Sequence, residues 1–131
     1  DASIAKCPEM LQSILLVGAG GAAGSILRFL AGFWLGKLNP GPYPWATFLV
    51  NITGSLAIGL LLGYLSRHQD QEGLRLLLVT GLCGGFTTFS SFTAENIHLL
   101  QQGQWNLALF YIFSSLLLGI LAVWLGLFLA K

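Results

Sequence analysis

The chain of 131 residues is 55% hydrophobic and 8% charged, with six Lys or Arg against five Asp or Glu and a net charge of +1. Soluble domains carry roughly 25% charged residues, so this composition belongs to a lipid bilayer. So charge-poor an inventory assembles no nucleophile, base and orienting group for an enzyme, and has no basic surplus for a nucleic-acid partner.

A spanning helix needs about 20 mostly apolar residues, and four segments meet that length: residues 10 to about 38, about 45 to 66, about 74 to 100, and 105 to 130. Residues 1–9 read as a polar tail that lacks the basic start, apolar core and cleavage site of a signal peptide. They precede a single four-helix domain over 10–131, with Met10 resembling an initiator. The first span contains one charge at depth, Arg28. Its stretch 13–24 imitates a strand and a dinucleotide-binding glycine turn, yet no acidic residue follows about 20 positions on and no second strand-and-helix unit appears. Gly20, Gly24, Gly32 and Gly36 instead fall in one i, i+4 row, which lets another helix approach closely. Arg28 either snorkels toward the interface near Lys37 or lines a vestibule that attracts anions.

After a connection rich in proline and glycine (39–44), the second span repeats the device: Thr47, Asn51, Ser55, Gly59 and Gly63 form a row that is polar at one end and small at the other. Asn51 serves either as hydrogen-bonding glue between helices or as an uncharged pair of donors for an anion. The next connection, 67–73, carries Arg67, Asp70 and Glu72, with His68 in a polar setting.

The third span holds the most informative stretch. Residues 76–94 carry no charge, yet Gly81-Leu82-Cys83-Gly84-Gly85-Phe86-Thr87-Thr88-Phe89-Ser90-Ser91-Phe92-Thr93 breaks helices and is rich in hydroxyls and aromatics. An unpaired backbone group in hydrocarbon costs several kcal/mol, so irregular backbone survives there only where it is buried in protein or lines a cavity or an ion site. Phe89 and Phe92, three apart, read by spacing alone as packing residues. Cys7 and Cys83 match no metal or redox spacing, and Cys83 reads as a small packing residue. Glu95 ends the stretch and either caps or pairs near the end of the span; His98, near a helix end, has no acid or cysteine cluster around it.

In the fourth span Tyr111, Ser115 and Gly119 share a face, with Ser114 beside it, so hydroxyls sit where lipid offers no partner or return to their own backbone. Lys6, Arg67, Arg75 and Lys131 lie on one membrane side against Lys37 and Arg28, a weak bias that permits insertion in both orientations. Four short helices enclose little interior, and oligomerisation is the expected remedy.

Gly-Gly-Phe-Thr-Thr-Phe-Ser-Ser-Phe at 84–92 closely resembles the signature of the Fluc fluoride channels, also called the CrcB family. The likeness covers nearly the whole chain: four short spans, Arg28 in the first, Asn51 after Thr47 in the second, Ala94-Glu95 after the break, and Tyr111 with Ser115 in the fourth. Ser91 stands where the family often has Thr, and Gly119 where some members carry Ser, which shortens the hydroxyl track of the last helix.

The resemblance implies an all-α membrane protein whose third transmembrane helix is broken and which forms an antiparallel, dual-topology homodimer with two fluoride pores. It implies a central structural Na⁺ held by the main-chain carbonyls of Gly84 and Thr87, pore-facing Phe89 and Phe92, and a polar track of Asn51, Thr47, Tyr111 and Ser115. Its expected setting is the inner membrane of a bacterium, where passive efflux of fluoride protects the cell. Two other readings are a four-span, dual-topology, proton-coupled drug exporter, which needs a carboxylate deep in the membrane, and a noncatalytic membrane assembly subunit.

Overall fold

The computed structural model describes residues 7–131; residues 1–6 of the expected polar tail, Lys6 among them, lie outside the described residues. Four helical spans are long and apolar enough to cross a membrane. The first, α1 (Cys7–Leu38), starts three residues ahead of the expected boundary at Met10. A proline is tolerated in a first turn, where its missing N–H would be unpaired anyway, and Glu9 there meets the positive end of the helix dipole. The second is α2 (Trp45–Ser66) and the last is α6 (Trp105–Leu129).

Between them the third span is composite. A short α3 (Glu72–Arg75) runs into eight π-helical residues, Leu76–Cys83, and then into α4 (Gly84–Phe86). Thr87 is extended, at φ −80° and ψ 157°, and helix resumes as α5 (Ser90–Gln101). The helix-breaking stretch expected over 81–93 is narrower in the structure: residues through Cys83 form π turns, Gly84–Phe86 an α turn, and only 87–89 leave helical geometry. Wide π turns are rare and cluster at functional sites, and hydropathy alone carries no sign of them. Between α5 and α6 the chain turns at Gly103, whose φ of 78° suits a residue without Cβ. Gly103 N–H bonds the Leu100 carbonyl at 3.1 Å and Gln104 N–H the Leu99 carbonyl at 2.9 Å, a Schellman closure that lets α6 start at once.

Two helix pairs dominate the packing: α1 against residues 72–86, and α2 against α6. Glycine makes both possible. A Cβ on Gly24 would overlap the Leu82 carbonyl oxygen, and one on Gly85 would lie 2.6 Å from the Gly21 carbonyl oxygen. On the other pair, a Cβ on Gly126 would lie 2.6 Å from both Leu56 O and Leu60 N, and one on Gly59 would overlap the Val123 carbonyl oxygen. The expected row on α1 therefore divides. Gly20 and Gly24 seat the third span, whereas a Cβ on Gly32 or Gly36 meets nothing within 4 Å among the described residues.

A compact apolar cluster forms at one end, where Tyr43, Phe48, Leu99, Ala108 and Tyr111 bury one another. Elsewhere large apolar side chains face outward, Phe29 at 71% and Ile120 at 69% exposure, as the lipid-facing side of a membrane bundle requires.

The two classes of glycine on α1 separate in a stability measurement. Gly24→Ala must displace backbone, an overpacking penalty of about 1–3 kcal/mol. Gly18 has nothing within 4 Å of its Cβ position, so Gly18→Ala should change stability by no more than about 1 kcal/mol and in the favourable direction. Denaturation in detergent micelles, following helicity, should show a large loss for the first variant and none for the second; equal losses would mean that the glycines do not set the α1 contact.

Candidate functional site

Residues 87–89 leave helical geometry within the third span; Thr87 N–H still reaches the Cys83 carbonyl at 3.0 Å and the Phe89 carbonyl accepts Thr93 N–H at 2.9 Å, but the Thr88 peptide groups between them have left the helical ladder. Asn51, from the second turn of α2, restores two of the lost bonds: its Nδ2 donates to the Thr88 carbonyl at 3.0 Å and its Oδ1 accepts the Thr88 N–H at 2.8 Å. A primary amide is the one neutral side-chain group that offers donor and acceptor side by side, as a peptide does. Gln would offer the same pair but one carbon farther from the backbone.

Both flanks are closed in the same currency. Thr87 Oγ1 donates to the Cys83 carbonyl at 2.9 Å, and Thr88 Oγ1 accepts the Ser91 N–H at 3.2 Å, pairing a first-turn donor of α5. Arg28 Nε donates to the Gly85 carbonyl at 3.2 Å. Its charge thus sits at the negative end of the helix that stops at Phe86, where a cation is stabilising. Since Thr88 N–H goes to Asn51, it does not return to Gly84, whose carbonyl loses its ordinary helical partner.

Beside these residues lies an open groove of about 310 Å³ between α2, residues 87–92 and α6. Asn51, Ser55, Thr87, Thr88 and Ser115 are its polar lining residues, Phe89 and Phe92 form an aromatic edge, and among the described residues no charged side chain lines it. Gly54 admits Thr87 to the wall, since a Cβ there would overlap the Thr87 methyl group. The two phenyl rings stand 6.1 Å apart at 38°, with Phe89 76% exposed on the chain's open side. Four of the expected site residues, Asn51, Phe89, Phe92 and Ser115, therefore meet in one groove.

Thr47 and Tyr111 stand elsewhere, behind Phe92. Thr47 Oγ1 donates to Glu95 Oε1 at 2.5 Å. Tyr111 is completely buried, packs edge-on against Phe92 at 5.0 Å, and brings its hydroxyl close to Glu95 and Thr47 without closing a hydrogen bond. The Ser115 hydroxyl is likewise buried with no partner among the described residues. Buried polar atoms of native proteins are nearly always paired, so these two hydroxyls stand ready for a ligand or water. Ser114 instead bonds its own helix, to the Tyr111 carbonyl at 3.3 Å.

Tyr43 had no periodic pattern to mark it, standing in a loop. It closes this end of the molecule, 3.2 Å from the Ser114 hydroxyl and edge-on to Tyr111 at 5.3 Å. Desolvation raises its pKa, more than the Ser114 hydrogen bond lowers it, so its hydroxyl stays neutral at physiological pH. Thr88 was also missed as a partner for Asn51, because only a contact across the fold joins them. Among the described residues no three His, Cys, Asp or Glu side chains gather as a metal site. Cys83 is a free, buried thiol, and His68 stacks on Tyr64 at 4.2 Å.

Residues 15–127 match the family described as CrcB-like protein, Camphor Resistance (CrcB). Among curated relatives, a protein of Flavobacterium psychrophilum named fluoride-specific ion channel FluC is 45% identical over 92% of this chain and 98% of its own length. Proteins of the same name from Agrobacterium fabrum and Pseudomonas syringae pv. tomato are each 46% identical, over 91% and 93% of this chain and 96% and 99% of theirs. Such identity along nearly the full length of each partner, with four helices able to span a bilayer, makes the chain a multi-pass membrane protein that belongs to the CrcB-like family.

Proposed function

We propose that the chain is a passive, fluoride-selective ion channel, not an enzyme, and that it lets fluoride leave the cytoplasm across the inner membrane of a bacterium. The observation that carries this is the groove itself: amide and hydroxyl donors beside two phenyl rings at membrane depth, with no charged side chain among its lining residues. Relatives named fluoride-specific ion channel support the choice of ion. Fluoride is small and strongly hydrated, so a pore must replace its water with hydrogen-bond donors, while conduction needs binding weak enough to release the ion. Neutral donors meet both demands better than Lys or Arg. Phenyl edges carry the positive part of the ring quadrupole, so Phe89 and Phe92 can meet an anion edge-on. Ser115 lies in the groove beside them and Thr47 and Tyr111 would continue the track behind Phe92, the Tyr111 and Ser115 hydroxyls being unpaired among the described residues.

The active form in this reading is an antiparallel homodimer with two pores, built around the break in the third helix. Support comes from the groove's open side and from the exposed hydroxyl residues Ser90 and Thr93 at mid-span, whose hydrogen bonds are local, Ser90 to Thr88 and Thr93 to the Ser90 carbonyl, and whose polar surface suits a protein neighbour better than lipid. The chemistry at the break also suits a structural Na⁺. Main-chain carbonyls are what a hard cation takes, and the Gly84 carbonyl has lost its Thr88 donor; Gly84 and Thr87 would hold the ion together with their copies from the second subunit. The ion would supply fixed positive charge between the subunits. A drug exporter has less to stand on, because Glu95, the carboxylate late in the third span, is held by Thr47 away from the groove.

In liposomes containing only this protein, fluoride should run down its gradient without ATP or a proton gradient, read with an ion-selective electrode, and chloride should be retained. Equal fluxes of the two ions would refute the proposal.

Variants separate the groove from the fold. Asn51→Asp replaces the Nδ2 donor to Thr88 by a repelling charge and should lower fluoride flux roughly tenfold or more, about 1.4 kcal/mol or more on the barrier. Phe89→Ile and Phe92→Ile remove the ring edge while keeping most apolar bulk, so flux should fall with dimer yield on size exclusion unchanged. Wild-type flux from all three would place the conduction path on another face.

The antiparallel arrangement is tested with a membrane-impermeant binder raised against the 67–71 loop. It should block a single reconstituted channel from either side of the bilayer; block from one side alone would establish a parallel dimer.

A further inference from the structure

Ser55 entered the sequence pattern only as one step in a row between Asn51 and Gly59, but its surroundings give it a more specific position. It follows Asn51 by one helical turn on α2 and lines the same groove. Facing it on α6, one turn beyond Ser115, is Gly119: a Cβ there would stand 3.8 Å from Ser55 Oγ and nearer to nothing else. The contrast with other glycines of this helix pair is sharp, since a Cβ on Gly59 or Gly126 would drive into facing backbone. Helix packing therefore does not account for Gly119. What its missing side chain leaves is space beside the Ser55 hydroxyl.

That hydroxyl is also unengaged. Ser66, near the end of the same helix, donates to the Gly63 carbonyl at 2.8 Å, and Ser114 on α6 to the Tyr111 carbonyl at 3.3 Å, the ordinary way for serine to be satisfied in an apolar medium. Ser55 makes no such bond among the described residues. Past it the groove is lined by Ile58 and Val123, so Ser55 is the last donor at that end.

We infer that Ser55 is a further anion-binding residue of the groove, donating its hydroxyl to the ion where it passes Gly119, so that the donor track crosses from Ser115 on α6 to Ser55 on α2. The inference rests on the channel reading and adds a residue to its path. A donor on one helix and a gap on the other are interchangeable in principle: a hydroxyl supplied from position 119 would reach the same space.

The test is fluoride efflux from liposomes for wild type, Ser55→Ala, and Ser55→Ala combined with either Gly119→Ser or Gly119→Ala, with melting temperature and dimer yield measured for each. Ser55→Ala should lower flux by about tenfold, the scale of one hydrogen bond to a charged group, at unchanged melting temperature. Adding Gly119→Ser should restore most of the flux, and adding Gly119→Ala should not. Unchanged flux in Ser55→Ala, or equal rescue by Gly119→Ala and Gly119→Ser, would overturn the assignment, the latter by showing that Ser55 acts through packing. A wild type that carries no fluoride would overturn the channel reading itself, and this assignment with it.

Discussion

The arrangement depends above all on keeping backbone polar groups paired at membrane depth. Once the third span leaves helical geometry at Thr87, its peptide groups must find partners inside the protein, because hydrocarbon supplies none. Asn51 answers with both atoms of its amide on the Thr88 peptide, and Arg28 answers from the other side on the Gly85 carbonyl. These bonds draw α1 and α2 toward residues 84–89. The position of the groove follows, since Asn51, Thr87 and Thr88 are at once its wall and the hydrogen-bonding system that holds the wall in place.

The double duty of Asn51 bears on mechanism. One N–H of its amide and its oxygen are committed to Thr88, which leaves a second N–H that the Thr88 contacts do not use. An amide fixed at both atoms presents that donor in one direction, and a donor that need not reorient is worth more to a passing ion than a mobile one. In the proposed channel, structural and ion-facing roles for this residue are not rivals, because the first would orient the second. Arg28, by contrast, spends a nitrogen on the end of α4 and lies outside the main groove.

Helix association supplies the remaining geometry. Lipid tails are as apolar as leucine, so helices in a membrane gain by close approach, not by burying oil from water. Gly24 and Gly85 on one pair and Gly59 and Gly126 on the other allow backbone to touch backbone. The π-helical turns at Leu76–Cys83 carry Gly81 onto α1, where a Cβ would lie 2.8 Å from the Val17 carbonyl oxygen. Tight pairs at these points leave α2, residues 87–92 and α6 apart at the groove, and the large apolar side chains turned outward leave that groove open along one side.

Composition and apolar run length by themselves determined a four-span membrane protein and its span boundaries to within about three residues, because the hydrocarbon thickness sets a length that no soluble helix needs to meet. The wording of residues 84–92 identified the family, the i, i+4 rows placed Asn51 and Ser115 on identifiable faces, and the i, i+3 spacing did so for the paired phenylalanines. Only the tertiary structure decided which residues meet. That Thr88 is the partner of Asn51, that Tyr111 and Thr47 gather at Glu95 behind Phe92, that Gly32 and Gly36 take no part in the contact made by Gly20 and Gly24, and that Gly119 faces Ser55 are relations between helices. Periodicity along one helix records which side a residue is on, but the rotation and depth of its neighbour are set by where glycines let backbones touch and where unpaired peptide groups must be answered.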